Sequence, residues 1–257
     1  MAKVKISNID CIEVKTGPDN VATNLGVLLM HGYGASPDQF TTVVDYLLQL
    51  NPDLANKRIR WIFPFSPTQD GPVGSEWFPL DIGSWMMAFM GGEQLLATKL
   101  RATPTGMNES AEKIISLLGE LIATTDGAGS TLAGWCIGGF SQGSMMTCSV
   151  VSRLGLPDQD RSSFGDCISP GGMLILSGMC MNIEEWSKGF AHQKGKGIKF
   201  LQLHGRSDMT CPFHASGWLK DLIGMNIDVQ YHAHNGAHDM GGADELKKIA
   251  SYLNDLA

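Results

Sequence analysis

The sequence predicts an α/β fold: a doubly wound, mostly parallel sheet with helices on both faces. Two observations carry that prediction. Short apolar runs, each bounded by Gly or Pro, recur along the chain as strands buried on both faces do. Segments with helical apolar spacing fall between them, so strand and helix alternate.

In chain order, "NLGVLLM" (residues 24–30) is the first apolar run and stops at the glycine-rich "HGYGAS". A helix follows over residues 36–50, with Ser36 at its N-cap and Pro37 in its first turn, where a missing N–H costs nothing. "IRWIF" (59–63) is the next strand, stopped by Pro64. Residues 108–123 have an amphipathic spacing behind Asn108 and predict a second helix. "STLAGWCIG" leads into a glycine cluster at Gly138, Gly139 and Gly143, and "QGSMMTCSVVSRLG" reads as a helix ending at Gly155. "MLILSG" (173–178), "IKFLQLHG" (198–205) and "DVQYHAH" (228–234) complete the strands, and residues 243–257 form a closing helix.

Two stretches break the rhythm. Residues 66–92 are too long for a simple connection and mix turn residues with aromatics and methionines, which marks a cap-like insertion. Residues 157–172 read as a polar surface insertion. With no repeat and no linker, residues 1–257 are expected to form a single domain.

Composition narrows the function. A formal net charge of -7 without any Lys/Arg-rich run argues against nucleic acid, because phosphate contacts need a basic face. The N-terminus lacks the apolar stretch of a signal peptide, and no apolar run is long enough to cross a bilayer. Six cysteines without paired spacing suit free thiols, so the expected location is cytoplasmic.

The glycine cluster surrounds Ser141 in the pattern G-x-S-x-G. A Ser on a sharp strand-to-helix turn needs small neighbours, and the turn lifts its hydroxyl at the carboxyl ends of the strands, where open α/β sheets bind ligands. A hydroxyl becomes a nucleophile only when a base takes its proton. His238 in "NGAHDM", between the last strand and the last helix, is placed to be that base. Asp208, just beyond "IKFLQLHG", is the matching acid, whereas Asp228 starts a strand at the wrong end of the sheet. The oxyanion hole needs two backbone amides, for which Gln142, following Ser141, and Tyr33, between two glycines, are the candidates. His31 reads as a residue bracing that loop. His232, His234 and His238 with Asp239 admit a metal reading, but the spacing supplies no further ligand, so no metal is expected. Cys136 and Cys148 sit in apolar runs and are expected to pack as small hydrophobes.

The order Ser141, Asp208, His238 is that of α/β-hydrolases. "HGYGAS", "GGFSQGS", "LSG", "LHGRSD" and "NGAH", in that order from Leu25 onward, resemble the phospholipase/carboxylesterase family, which includes acyl-protein thioesterases. The resemblance implies hydrolysis of a carboxylic ester or thioester through an acyl-enzyme on Ser141, without cofactor. It implies an S-acylated protein or a lysophospholipid as acyl donor, and a monomer or weak homodimer. It matches Asp208 to the acid, His238 to the base, and Tyr33 and Gln142 to the oxyanion donors. The chain departs from the family's pattern at Ser144, often Gly, and in "EWFPLDIGSW", which carries additional residues. Trp77, Phe78, Trp85, Met86, Met87 and Met90 in the insertion are the expected substrate contacts, with core packing the competing reading for the methionines. A small-ester carboxylesterase, and a binding protein that keeps the fold without turnover, are the alternatives.

Overall fold

A computed structural model describes residues 1–71 and 74–257 of the chain. Strands β1 (Ala2–Ile6) and β2 (Ile9–Thr16) open it as an antiparallel hairpin. Ser7 and Asn8 form its two-residue turn, both at positive φ, the geometry that matches the twist of the flanking strands. Strand β3 (Leu25–Met30) is buried along its whole length, which explains its unbroken apolar run. Helix α1 (Pro37–Leu50) begins where the Ser36–Pro37 signal places it, and a short turn α2 (Pro52–Ala55) leads to β4 (Ile59–Pro64).

The insertion at 66–92 is structured. It holds a small hairpin, β5 (Thr68–Gly71) and β6 (Gly74–Glu76), and helix α3 (Ile82–Met90), capped by Asp81, whose carboxylate accepts from the Ser84 amide at 2.9 Å. Pro72 and Val73, inside the insertion, lie outside the described residues. Helix α4 (Glu93–Arg101) follows directly. Helix α5 (Met107–Thr124) starts one residue before Asn108, behind Gly106 in the left-handed region at φ 78°. Asn108 is therefore not the cap, and its amide nitrogen donates to Glu185 at 3.0 Å.

Strand β7 (Trp135–Phe140) runs into α6 (Gln142–Leu154), then come β8 (Gly172–Leu176), α7 (Ile183–His192), β9 (Lys199–Gly205), α8 (Phe213–Gly224), β10 (Val229–His234) and α9 (Ala243–Leu256). The strand order is β1-β2-β4-β3-β7-β8-β9-β10, antiparallel through β4 and parallel from there on. Apolar residues of α5, α6, α7 and α8 pack on one face of the sheet, and those of α1 and α9 pack on the other, as the doubly wound expectation requires. The polar stretch at 157–172 contains one turn of 3-10 helix, and Arg161 at its start pairs with Glu112 of α5 at 2.9 Å.

Every residue of α6 is buried. Two of its hydroxyls turn back onto its own carbonyls, Thr147 to Gly143 at 2.9 Å and Ser152 to Ser149 at 3.0 Å, while the buried Ser149 hydroxyl has no partner among the described residues. At its N-terminus the helix lies directly on β3: a Cβ at Gly143 would run into the Met30 carbonyl oxygen. Gly143→Ala should therefore cost at least about 2 kcal/mol, because the obstacle is main chain and cannot turn aside. Gly217, inside α8, has open space around its Cβ position, and Gly217→Ala should stabilise by about 0.5–1 kcal/mol. Denaturant unfolding of the two variants checks both signs.

Candidate active site

Ser141 stands between β7 and α6 at φ 55° and ψ -117°, a conformation that L-residues avoid without a reason. Gly139 and Gly143 give it room, because a Cβ on Gly139 would strike the main chain of Gly143. The turn is tied to the neighbouring strand by the Ser141 amide, which donates to the Leu176 carbonyl at 2.8 Å. Ser144 accommodates the departure noted above. Its hydroxyl accepts from the Leu176 amide at 2.9 Å and lies 2.8 Å from the Leu176 carbonyl oxygen. Bare Gly178 makes space for it, since a Cβ there would approach Ser144 Cβ to 2.7 Å.

The three residues expected to act together do meet. His238 Nε2 lies 2.8 Å from Ser141 Oγ, and His238 Nδ1 lies 2.7 Å from Asp208 Oδ2. The pairing assigns the imidazole proton to Nδ1 and leaves Nε2 as an acceptor facing the hydroxyl. The other oxygen of Asp208 accepts from the amides of Thr210 at 2.9 Å and Cys211 at 2.8 Å. Burial pushes the Asp208 carboxyl up, but the hydrogen bonds from His238 and the Cys211 amide outweigh burial and hold it below the usual range.

His204, one turn of loop away, lies 3.4 Å from Asp208 and binds the Cys211 carbonyl at 2.8 Å. Burial holds His204 below the ordinary imidazole range, so its ring is a neutral neighbour of Asp208. The Cys211 thiol is pushed up by burial and by the Asp208 charge, against a lowering contact with Ser141, which keeps it an inert thiol beside Ser141. Burial also raises the Cys136 thiol to about 12 and the Cys148 thiol well above its ordinary value. Both pack as hydrophobes.

The loop after β3 carries Tyr33. It is pinned by the Gly34 amide, which donates to the Ser75 carbonyl at 2.8 Å, and by the Ala35 amide, which donates to the Gly32 carbonyl at 3.2 Å. The amides of Tyr33 and Gln142 have no acceptor among the described residues. His31 is buried and braces the loop, with Nδ1 donating to the Gly32 carbonyl at 2.8 Å and its ring 5.0 Å from that of Trp77. His232 and His234 do not join the site. His234 accepts from the Gly236 amide at 3.1 Å, and no cluster of three metal-binding side chains exists among the described residues.

The six expected substrate contacts divide in two. Trp77 and Phe78 are each 1% exposed and belong to the core, with Trp85 close behind. Met86, Met87 and Met90 are 55, 59 and 74% exposed, which sets aside the core reading for the methionines. Sequence reasoning missed what holds Trp77 and Phe78. The buried Gln142 side chain accepts from the Trp77 amide at 2.9 Å and donates to the Phe78 carbonyl at 2.7 Å. The Trp77 indole donates to the His31 carbonyl at 2.9 Å. The sequence signal was the position of Gln142 directly after Ser141.

The family described as phospholipase/carboxylesterase matches residues 10–257. Among solved structures, esterase PE8 is similar with a TM-score of 0.66 at 24% identity, covering 95% of this chain and 99% of that one. The carboxylesterase of Bacillus cereus gives 0.64 at 13% identity, covering 97% and 95%. Acyl-protein thioesterase 2 of Zea mays gives 0.62 at 16% identity, covering 96% and 98%. At these identities the superpositions bear on the fold. The search of curated proteins gives no match. No helix among the described residues is long and apolar enough to cross a membrane.

The two buried imidazoles fix the sign of one pH effect. Burial lowers both His31 and His204 in the folded chain, so their contribution to stability is complete above the ordinary imidazole pKa of about 6.5 and is lost as pH falls toward the folded values. Asp208, also lowered, adds a further loss once pH falls through the carboxylate range. Denaturant unfolding at pH 7.5 and pH 5 should show lower stability in acid, with a smaller pH dependence in His31→Asn. Equal or greater stability at pH 5 contradicts this account.

Proposed function

The chain belongs to the phospholipase/carboxylesterase family, a serine hydrolase of carboxylic esters or thioesters with the α/β-hydrolase fold, and from that premise we propose that Ser141 is its nucleophile, His238 its base and Asp208 the acid that orients the base. The observation that carries this reading is the unbroken chain of short contacts from Asp208 through His238 to a Ser held at positive φ. In the proposed sequence Ser141 Oγ attacks the substrate carbonyl carbon while His238 Nε2 takes its proton. The oxyanion is received by the amides of Tyr33 and Gln142, and the first turn of α6 adds its favourable dipole. The imidazolium then passes its proton to the departing alkoxide or thiolate. Water, deprotonated by the same nitrogen, attacks the acyl-enzyme and frees the carboxylic acid and Ser141.

For the acyl donor we propose a medium or long chain carried by an S-acylated protein or a lysophospholipid. Support comes from α3, which has no charged residue and turns Met86, Met87 and Met90 outward. Its Phe89 ring lies 5.5 Å from His214 of α8, so α3 packs against the first turn of the helix that follows the Asp208 loop. Methionines adapt to flexible apolar chains. The flank of α3 that faces solvent, not Trp77 or Phe78, is the surface proposed to meet the chain. A small-ester carboxylesterase would have no use for that exposed apolar stripe.

Two measurements test this. Ser141→Ala should lose about 10^4-fold or more in kcat and fail to react with a fluorophosphonate probe, while retaining its unfolding transition. A folded variant with substantial turnover removes Ser141 from the reading. Across a series of p-nitrophenyl esters and acyl thioesters, kcat/KM should rise by up to about fourfold for each methylene buried. Replacing Met86, Met87 and Met90 together by Ser should flatten that rise and leave acetyl turnover unchanged. A wild type that prefers acetyl esters excludes the long-chain reading and favours the small-ester one.

A further inference from the structure

His238 lies in the loop between β10 and α9, and its two ring contacts orient the imidazole without fixing the backbone that carries it. The next residue does that. The Asp239 carboxylate accepts from the Ala237 amide at 3.1 Å through Oδ2 and from the Gly241 amide at 2.8 Å through Oδ1. One side chain thus grips the loop on both sides of the base. The carbonyl of Asp239 accepts from Ser177 Oγ at 2.7 Å. Ser177 is fully buried at φ 50°, and its amide donates to the Leu203 carbonyl at 3.0 Å, so this anchor ends on the sheet itself.

We propose that Asp239, held by Ser177, is a positioning residue. It sets where Nε2 of His238 stands relative to Ser141 Oγ and acts on the reaction only through His238. The proposal rests on the reading of Ser141, His238 and Asp208 given above. Its physical basis is the steep dependence of proton transfer and attack on geometry, in which a displacement of about 1 Å costs roughly a hundredfold. Asp239 is half exposed, at 51%, so its replacement leaves no buried cavity. It also lies 3.7 Å from His234, and the test must therefore separate grip from charge.

The experiment measures kcat, KM, fluorophosphonate labelling rate and melting temperature for Asp239→Ala, Asp239→Asn, Ser177→Ala, His238→Ala and the double variant His238→Ala/Asp239→Ala, with p-nitrophenyl octanoate as substrate. Asp239→Ala should lower kcat and labelling rate by about 10- to 100-fold with KM within threefold and the melting temperature close to that of the wild type. Asp239→Asn, which keeps an oxygen for the Gly241 amide but no charge, should fall between the two. In the His238→Ala background Asp239→Ala should have no further effect, because a residue that acts through the base is silent without it. The proposal is overturned if Asp239→Ala keeps kcat within twofold of wild type, if Asp239→Asn is no better than Asp239→Ala, or if the double variant loses further activity. Should Asp239→Ala not fold, Ser177→Ala decides by the same kcat and KM criteria. A fully active His238→Ala overturns the underlying reading of the base and this proposal with it, which distinguishes the two failures.

Discussion

Main chain lies directly on main chain where α6 meets β3, and the active-site arrangement depends on that contact. Gly139 and Gly143 carry no side chain because the Met30 carbonyl and the turn itself occupy the space. The approach allows Ser141 to be held at φ 55°, a conformation costing about 1–3 kcal/mol that persists only when its surroundings over-determine it. The surroundings do so through β8. Its Leu176 receives the Ser141 amide and shares the Ser144 hydroxyl, and Ser177, one residue on, receives the loop of His238. The Ser and the imidazole are thus measured from the same pair of adjacent residues, and the 2.8 Å between them follows from a shared reference.

The electrostatics of the site work in the same direction. Burial opposes the charge on Asp208, and the structure answers it with hydrogen-bond donors. His31 and His204 are left neutral, and the thiols of Cys148 and Cys211 are kept protonated. The Asp208 carboxylate is thereby held against His238 Nδ1, on the side of the ring away from Ser141. A second ionised group nearby would compete for the same proton.

The parallel half of the fold and the three residues in contact were legible because each announces itself locally. Buried strands read as unbroken apolar runs, the turn at Ser141 needs its glycines, and acid and base stand at strand ends. The β1–β2 hairpin was not read, although Lys3, Val4, Lys5 and Ile6 alternate and Ser7-Asn8 makes a short turn. An edge strand with one polar face gives a weaker signal than a buried one. Helices α7 and α8 escaped for another reason. Their starts lack the usual Ser or Thr cap: α7 begins behind Asn182 in the left-handed region and α8 behind Pro212. Gly106 displaced Asn108 as the start of α5 in the same way, since a left-handed glycine turns the chain without a side-chain cap. The contacts of Gln142 and Asp239 join residues by geometry that no spacing records, at separations of 65 residues and of two.

The Gln142 clamp fixes where the insertion can begin to vary. Its amide holds the main chain of Trp77 and Phe78, and the Ser110 hydroxyl of α5 donates to the Trp77 carbonyl at 2.5 Å. The segment from Pro79 to Gly106, with α3 and α4, therefore starts from a fixed point, and its own Trp85, Ala88 and Leu100 seat it on the core. On the proposed reading, acyl preference resides in a segment whose first residues are held by the residue that follows Ser141.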